Sequence, residues 1–177
     1  MTEEEIIKGC ISEKREAQEA LYKKYASKML GVCYRYASDL AEAEDMLQEG
    51  FIKVFDNISS FSFKGSFEGW VRRIMIHVAL NKIRSKSKVL DFVEEFNFEV
   101  EDLRSPLDKL QHKQLLAALN QLPEGYKIVF NLYAVEGYSH AEIAKFLAIK
   151  EASSRSQYAK AKSYLQKLII KLEKVNL

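Results

Sequence analysis

The sequence predicts an all-α protein built as two small helical domains joined by an acidic linker, the C-terminal one containing a helix-turn-helix. Three observations carry this. Only two prolines and seven glycines occur in 177 residues, and Ala, Leu, Glu, Lys and Gln dominate long segments, which favours helix over strand. Apolar residues recur at intervals of three and four along most of the chain. That periodicity fails over residues 86–104, where the sequence turns acidic and aromatic. The boundaries that follow are a first domain at 1–88, a linker at 89–105 and a second domain at 106–177. At 47% apolar content, each part can bury a modest core.

A short helix is expected first, then a long one from about Lys14 to Ala37, whose buried face is marked by Leu21, Tyr25, Met29, Val32 and Tyr36. Asp39 followed three residues later by Glu42 predicts a capping box: one carboxylate takes a free helix N–H and the other reaches back. The helix that starts there has Leu47, Phe51, Val54 or Phe55, and Ile58 on its apolar face. Glu42, Asp45, Glu49 and Asp56 lie on another side. The stretch from Asn57 to Gly65 reads as a loop, and helix resumes from about Ser66 to Ser85. Phe96, Phe98 and Val100 alternate within the linker, but a lone strand has no partner elsewhere. Ser105, Pro106 and Asp108 form a helix start, with a capping hydroxyl, a proline where no N–H is needed and an acid at the positive end. Four helices are expected in the second domain, at about 106–120, 124–136, 140–147 and 151–173.

Charge is segregated along this framework. The net charge of +2 hides four blocks of alternating sign. Residues 39–56 hold six acids and one lysine, and residues 64–88 hold seven cations and one glutamate. Residues 91–108 hold seven acids and one arginine, and residues 152–177 hold six cations and one glutamate. Solvated helix faces could account for any single block; two basic blocks together point to two nucleic-acid contacts.

Several classes are excluded or disfavoured. Cys10 and Cys33 are too few for a disulfide framework or a thiolate metal site, which suits a reducing cytoplasm. The acidic N-terminus and the lack of any run of roughly 20 apolar residues argue against export and membrane spanning. His77, His112 and His140 lie alone in separate helices, and no phosphate loop or nucleophile motif appears, so neither catalysis nor a metal or cofactor is expected.

The sharpest local signal is YSHAEIAKFLAIKEASSRSQY, residues 138–158, which fits a helix-turn-helix. Ser139 and Glu142 can cap its first helix, and Ile143, Leu147 and Ile149 can pack it. The second helix is expected to carry Ser153, Arg155, Ser156, Gln157 and Lys160 outwards. Arg suits a guanine edge, Gln an adenine, and Ser and Lys phosphates. An αα-hairpin with a solvated basic face is the competing reading. Ala148 stands where glycine is common in this turn, and Ser154 is polar where an apolar residue usually packs. In the first domain, residues 63–88 interleave aromatics with Arg72, Arg73, Lys82, Arg84, Lys86 and Lys88, as separated DNA strands require. Core packing is the stronger reading for Trp70. For the acidic helix before it, composition alone favours a plain solvated face.

Taken together, AEDMLQEGFIKVF, SFEGWVRRIMIHVALNKIR and the helix-turn-helix resemble the extracytoplasmic-function group of bacterial sigma factors over nearly the whole chain. The resemblance implies a factor that binds RNA polymerase core and directs promoter recognition, DNA melting and transcription initiation. It assigns Asp45, Gln48, Glu49, Phe51 and Val54 to the clamp helices of the polymerase largest subunit. It assigns Phe63, Lys64, Gly65, Ser66, Arg72, Arg73, His77 and Lys82 to the minus-ten element as a single strand, and Ser153, Arg155, Ser156 and Lys160 to the duplex minus-thirty-five element, to which the helix-turn-helix pattern adds Gln157. It also implies an anti-sigma partner and a monomer when free. His77 stands where the family often has Asn, and Ala152 replaces a frequent Gly, so promoter preference does not transfer. A stand-alone helix-turn-helix regulator with an N-terminal dimerisation or sensing bundle is the rival, and a helical protein adaptor a second.

Overall fold

The computed structural model describes residues 1–86 and 117–175, and the chain divides into two compact units, Met1–Lys88 and Val89–Leu177. The expected linker, the alternation at Phe96, Phe98 and Val100, the helix start at Ser105 to Asp108, Lys88 and His112 lie outside the described residues.

Unit 1 contains four helices: α1 (Glu3–Ile11), α2 (Arg15–Tyr34), α3 (Leu40–Asn57) and α4 (Phe67–Lys86), with a 3-10 turn at Ile58–Ser60. α1 opens with a capping box between Thr2 and Glu5. It ends in a left-handed turn at Glu13, φ 55°, where the amide of Lys14 donates to the Gly9 carbonyl at 2.9 Å and that of Glu13 to Cys10 at 3.0 Å. Those two bonds satisfy carbonyls that a helix end otherwise leaves bare. Glu3 ties α1 to α2 through the Tyr25 hydroxyl and, at 3.1 Å, the Lys24 ammonium.

At the start of α3, Asp39 accepts the Glu42 amide at 2.8 Å. The second half of the expected capping box is shifted: the Glu42 carboxylate takes the Ser38 amide at 2.8 Å and the Ser38 hydroxyl. Ser38 offers two donors where Asp39 offers one. α3 then packs on α2 and α4, with Met46, Val54, Met75 and Leu21 fully buried among these three helices. Cys10 and Cys33 are buried free thiols, and burial raises the Cys33 thiol to about 11, so it is inert as a nucleophile.

Unit 2 begins, among the described residues, with the helical segment 117–120, followed by α5 (Glu124–Phe130), α6 (His140–Leu147) and α7 (Glu151–Val175). A single helix over 124–136 was expected. Instead α5 gives way to a π-helical turn at Asn131–Val135, an insertion of one residue per turn that 3.6-residue periodicity does not reveal. Ala118, Leu119, Leu122 and Phe130 pack on Ala161 and Leu165 of α7, and α6 packs against the same helix.

Gly9 marks a close crossing of α1 and α2. A methyl there would stand 2.5 Å from the Cβ of Ala17, and neither group has a torsion with which to move aside. Overpacking of this kind costs about 1–3 kcal/mol, against about 1 kcal/mol gained in helix propensity. Gly9→Ala should therefore lower the melting temperature of the full chain by several degrees in calorimetry; an unchanged or higher value would show that α1 shifts freely.

Candidate functional site

Burial of one face of α3 decides which of its residues can meet a partner. Asp45, Gln48 and Glu49 are exposed. Asp45 lies 3.5 Å from the Lys82 ammonium on α4, and Glu49 lies 3.0 Å from Lys53 one turn along. Phe51 and Val54 are 3% and 0% exposed. Their assignment as direct polymerase contacts is corrected: both belong to the core, because they sit on the apolar stripe that holds α3 between its neighbours. The Phe51 ring instead supports Tyr22 of α2 from beneath, centroids 4.7 Å apart. Beside it, Tyr22, Leu30, Leu47 and Gln48 line a groove of about 330 Å3 between α2 and α3. Tyr22 and Ile52 are exposed large apolar residues that the sequence reading did not single out; each falls off the main periodicity.

The loop between α3 and α4 presents Phe63, Lys64, Gly65 and Ser66, all exposed. Phe63 sits at φ 57° and Gly65 at φ 91°. The Ser66 hydroxyl accepts the Gly69 amide at 3.2 Å, so it caps α4. Phe63 is half exposed and stands 5.1 Å from Phe61, which meets Trp70 at 5.7 Å and Phe67 at 5.0 Å. Phe67 is core, whereas Trp70 is half-buried at the edge of this aromatic cluster. Along α4, Arg73, His77 and Arg84 are exposed, and Arg72 and Lys82 are half-buried. Partial desolvation and the cations of Arg73, Arg84 and Lys53 hold His77 below its usual range, which keeps its ring neutral beside a positive surface.

The helix-turn-helix expected in unit 2 is present. The Ser139 and Glu142 capping box closes the start of α6, and the turn passes through Ala148 at φ 55°, ψ 43°. Ile149 donates back to the Ala144 carbonyl at 3.0 Å. On α7, Arg155 is exposed and Ser153, Ser156 and Lys160 are half-buried; Arg155 pairs with Glu151 one turn earlier. Gln157 is 7% exposed and its Oε1 accepts no hydrogen bond. The expectation that it faces outwards is corrected: it shares the inward face of α7 with Ser154 and Ala161.

Ser154 is fully buried, and its hydroxyl lies 2.9 Å from Nδ1 of His140 on α6. The His140 ring stacks on Tyr133 of the π turn, centroids 4.2 Å apart and planes at 11°, and Tyr133 in turn meets Tyr158 at 4.6 Å, which stands 5.9 Å from the imidazole. Sequence reasoning missed this cluster because the π turn shifts the register of Tyr133. Among the described residues no group of His, Cys, Asp and Glu could hold a metal, and no helix is long and apolar enough to cross a membrane.

Two helical units, one with an aromatic loop beside a basic helix and one with a helix-turn-helix, define a DNA-binding protein of the transcription class. Residues 21–89 match the family model for Sigma-70 region 2, and residues 112–165 match that for Sigma-70, region 4. The ECF RNA polymerase sigma factor SigE of Mycolicibacterium smegmatis is 27% identical over 157 residues, 85% of this chain and 61% of its own length. The RNA polymerase sigma-H factor of Pseudomonas aeruginosa is 27% identical over 168 residues, 88% of this chain and 87% of its own. This chain thus spans less than two thirds of SigE but most of sigma-H. The sigma factor RpoE of Bartonella quintana, solved with the anti-sigma factor NepR, shares the fold at TM-score 0.54 and 18% identity, covering 85% of this chain and 95% of that one. The chain belongs to the bacterial RNA polymerase sigma factors, in their extracytoplasmic-function group.

Two predictions follow from unit 2. A left-handed non-glycine residue costs roughly 1 kcal/mol or more, so Ala148→Gly should stabilise the chain by about 1 kcal/mol in denaturant titration; a loss would show that the Ala148 methyl packs. Desolvation and the nearby Arg155 lower the His140 pKa below 6.5, with Glu151 opposing. The folded state then binds fewer protons than the unfolded chain. Its contribution to stability is full above pH 6.5 and is lost as pH falls through the folded value. An NMR titration of the ring should give a midpoint below 6.5, and a midpoint above it would reverse the sign.

Proposed function

We propose that this sigma factor divides its work between the two units: residues 1–88 dock on RNA polymerase core and trap the melted minus-ten strand, residues 89–105 link them, and residues 106–177 hold the duplex minus-thirty-five element. The observation that carries this is the succession of region 2 and region 4 matches within one chain, over the surfaces where acidic, aromatic and basic groups are exposed. Asp45, Gln48 and Glu49 form the polymerase-facing part of α3, with Phe51 and Val54 as its buried support. Phe63, Lys64, Arg73, His77 and Lys82 are the side chains offered to single-stranded DNA: cations follow the phosphates while an aromatic face stacks an unpaired base. Ser153, Arg155, Ser156 and Lys160 are offered to the major groove.

No covalent step is needed. Capture of an opened strand pulls the closed-to-open equilibrium, by no more than the difference in affinity for the two forms. Binding to duplex should weaken with salt by about 0.9 logarithmic units per phosphate neutralised. Action is in the cytoplasm, where the polymerase is, and an anti-sigma protein is the regulatory partner, as NepR is of RpoE in the solved complex. A stand-alone helix-turn-helix regulator would not require the acidic face of α3.

The test combines the chain with RNA polymerase core and genomic DNA and maps transcript starts. Asp45→Lys with Glu49→Lys should abolish core association while the helical circular dichroism and melting temperature stay close to the parent. Arg155→Ala should cost roughly 1–3 kcal/mol of discrimination at one upstream position. Normal transcription by the double variant would refute the role given to α3.

A further inference from the structure

We propose that His140 and Ser154 are a positioning pair: their buried hydrogen bond fixes the angle at which α7 presents its base-reading side chains to duplex DNA. The proposal rests on the reading of unit 2 as the duplex-binding part. Ser154 is 0% exposed and His140 8% exposed, on the two helices of the helix-turn-helix, and they meet at 2.9 Å. The other buried side chains of α6 are the apolar Ile143 and Leu147. Apolar contact tolerates sliding and rotation, because it depends on area and has no preferred direction. A hydrogen bond weakens steeply with misalignment, and a buried hydroxyl that loses its partner is costly. A directional polar pair that joins the two helices therefore selects one arrangement of them.

The imidazole side is itself held. Tyr133 lies flat on the imidazole at 4.2 Å and is itself backed by Tyr158 at 4.6 Å, so the buried ring does not turn freely to follow a displaced Ser154. Ser154 is also placed to matter, since it stands between Ser153 and Arg155, in the turn of α7 that carries the proposed base contacts. Gln157, three residues on and buried on the same face, has an Oε1 without a partner and adds no comparable constraint through that atom.

The test uses polymerase holoenzyme formed with the full chain and a promoter library randomised over the upstream element, at a temperature well below every variant's melting point. The readout is the ratio of affinities for the best selected and a scrambled upstream sequence. Ser154→Ala should reduce that ratio about tenfold, and His140→Asn, which keeps a polar atom near the place of Nδ1, should retain most of it. The double variant His140→Phe with Ser154→Val leaves no orphaned polar group, so its melting temperature should lie near the parent's while its ratio stays low. A pair that only packs would behave differently: Ser154→Ala would lower the melting temperature and leave the ratio within about twofold, or the double variant would restore it. Either result overturns the proposal. If the parent itself selects no upstream sequence, the duplex-binding reading of unit 2 fails and the positioning role falls with it.

Discussion

A helix that is buried along one side has only the other side with which to bind, and this competition between packing and presentation shapes both units. α3 is held on two flanks, by α2 and α4, and spends Met46, Leu47, Phe51 and Val54 on that task. Among the residues left exposed are Asp45, Gln48, Glu49 and Ile52. α7 resolves the same competition along its length. Its later turns supply Ala161, Leu165 and Ile169 to the core, while Arg155 in its second turn is exposed. Because one continuous 25-residue helix does both, the packing of its far half sets where the near half points.

The helices themselves were legible in the sequence. Periodicity and caps placed α2, α3, α4, α6 and α7 to within about three residues, because each has one apolar stripe and an identifiable start. The π turn was not legible, since an inserted residue leaves apolar spacing nearly unchanged locally while rotating everything after it. The site was legible by position more than by face. Resemblance transferred Phe51 and Val54 as binding residues, yet the periodicity already put both on the buried stripe of α3. Gln157 falls in step with Ser154 and Ala161, and only its polarity suggested an outward side chain. Where a motif and the helical period disagree about a residue, the period is the better guide to its exposure.

Two departures from expectation turn out to belong together. Ser154 was out of place as a polar residue in a packing position, and His140 was a histidine with no partner in the sequence. Each supplies what the other lacks, and burial is tolerable for both because the donor and acceptor are matched. A sequence reading that treats positions singly scores two anomalies there. The folded chain has one hydrogen bond.

The charged strips are arranged by a different rule. Asp45 to Lys82, Glu49 to Lys53, Lys28 to Glu68 and Arg155 to Glu151 are ion pairs with at least one well-exposed member, and such pairs contribute roughly 0–1 kcal/mol each. They do not hold the fold, which rests on the buried stripes. Their weakness has a second consequence, because an acid or a cation engaged so loosely can exchange its partner for a phosphate or an opposing protein charge at little cost. Strong pairs at the same positions would have stabilised the isolated chain by a small amount and opposed every contact its surface is there to make.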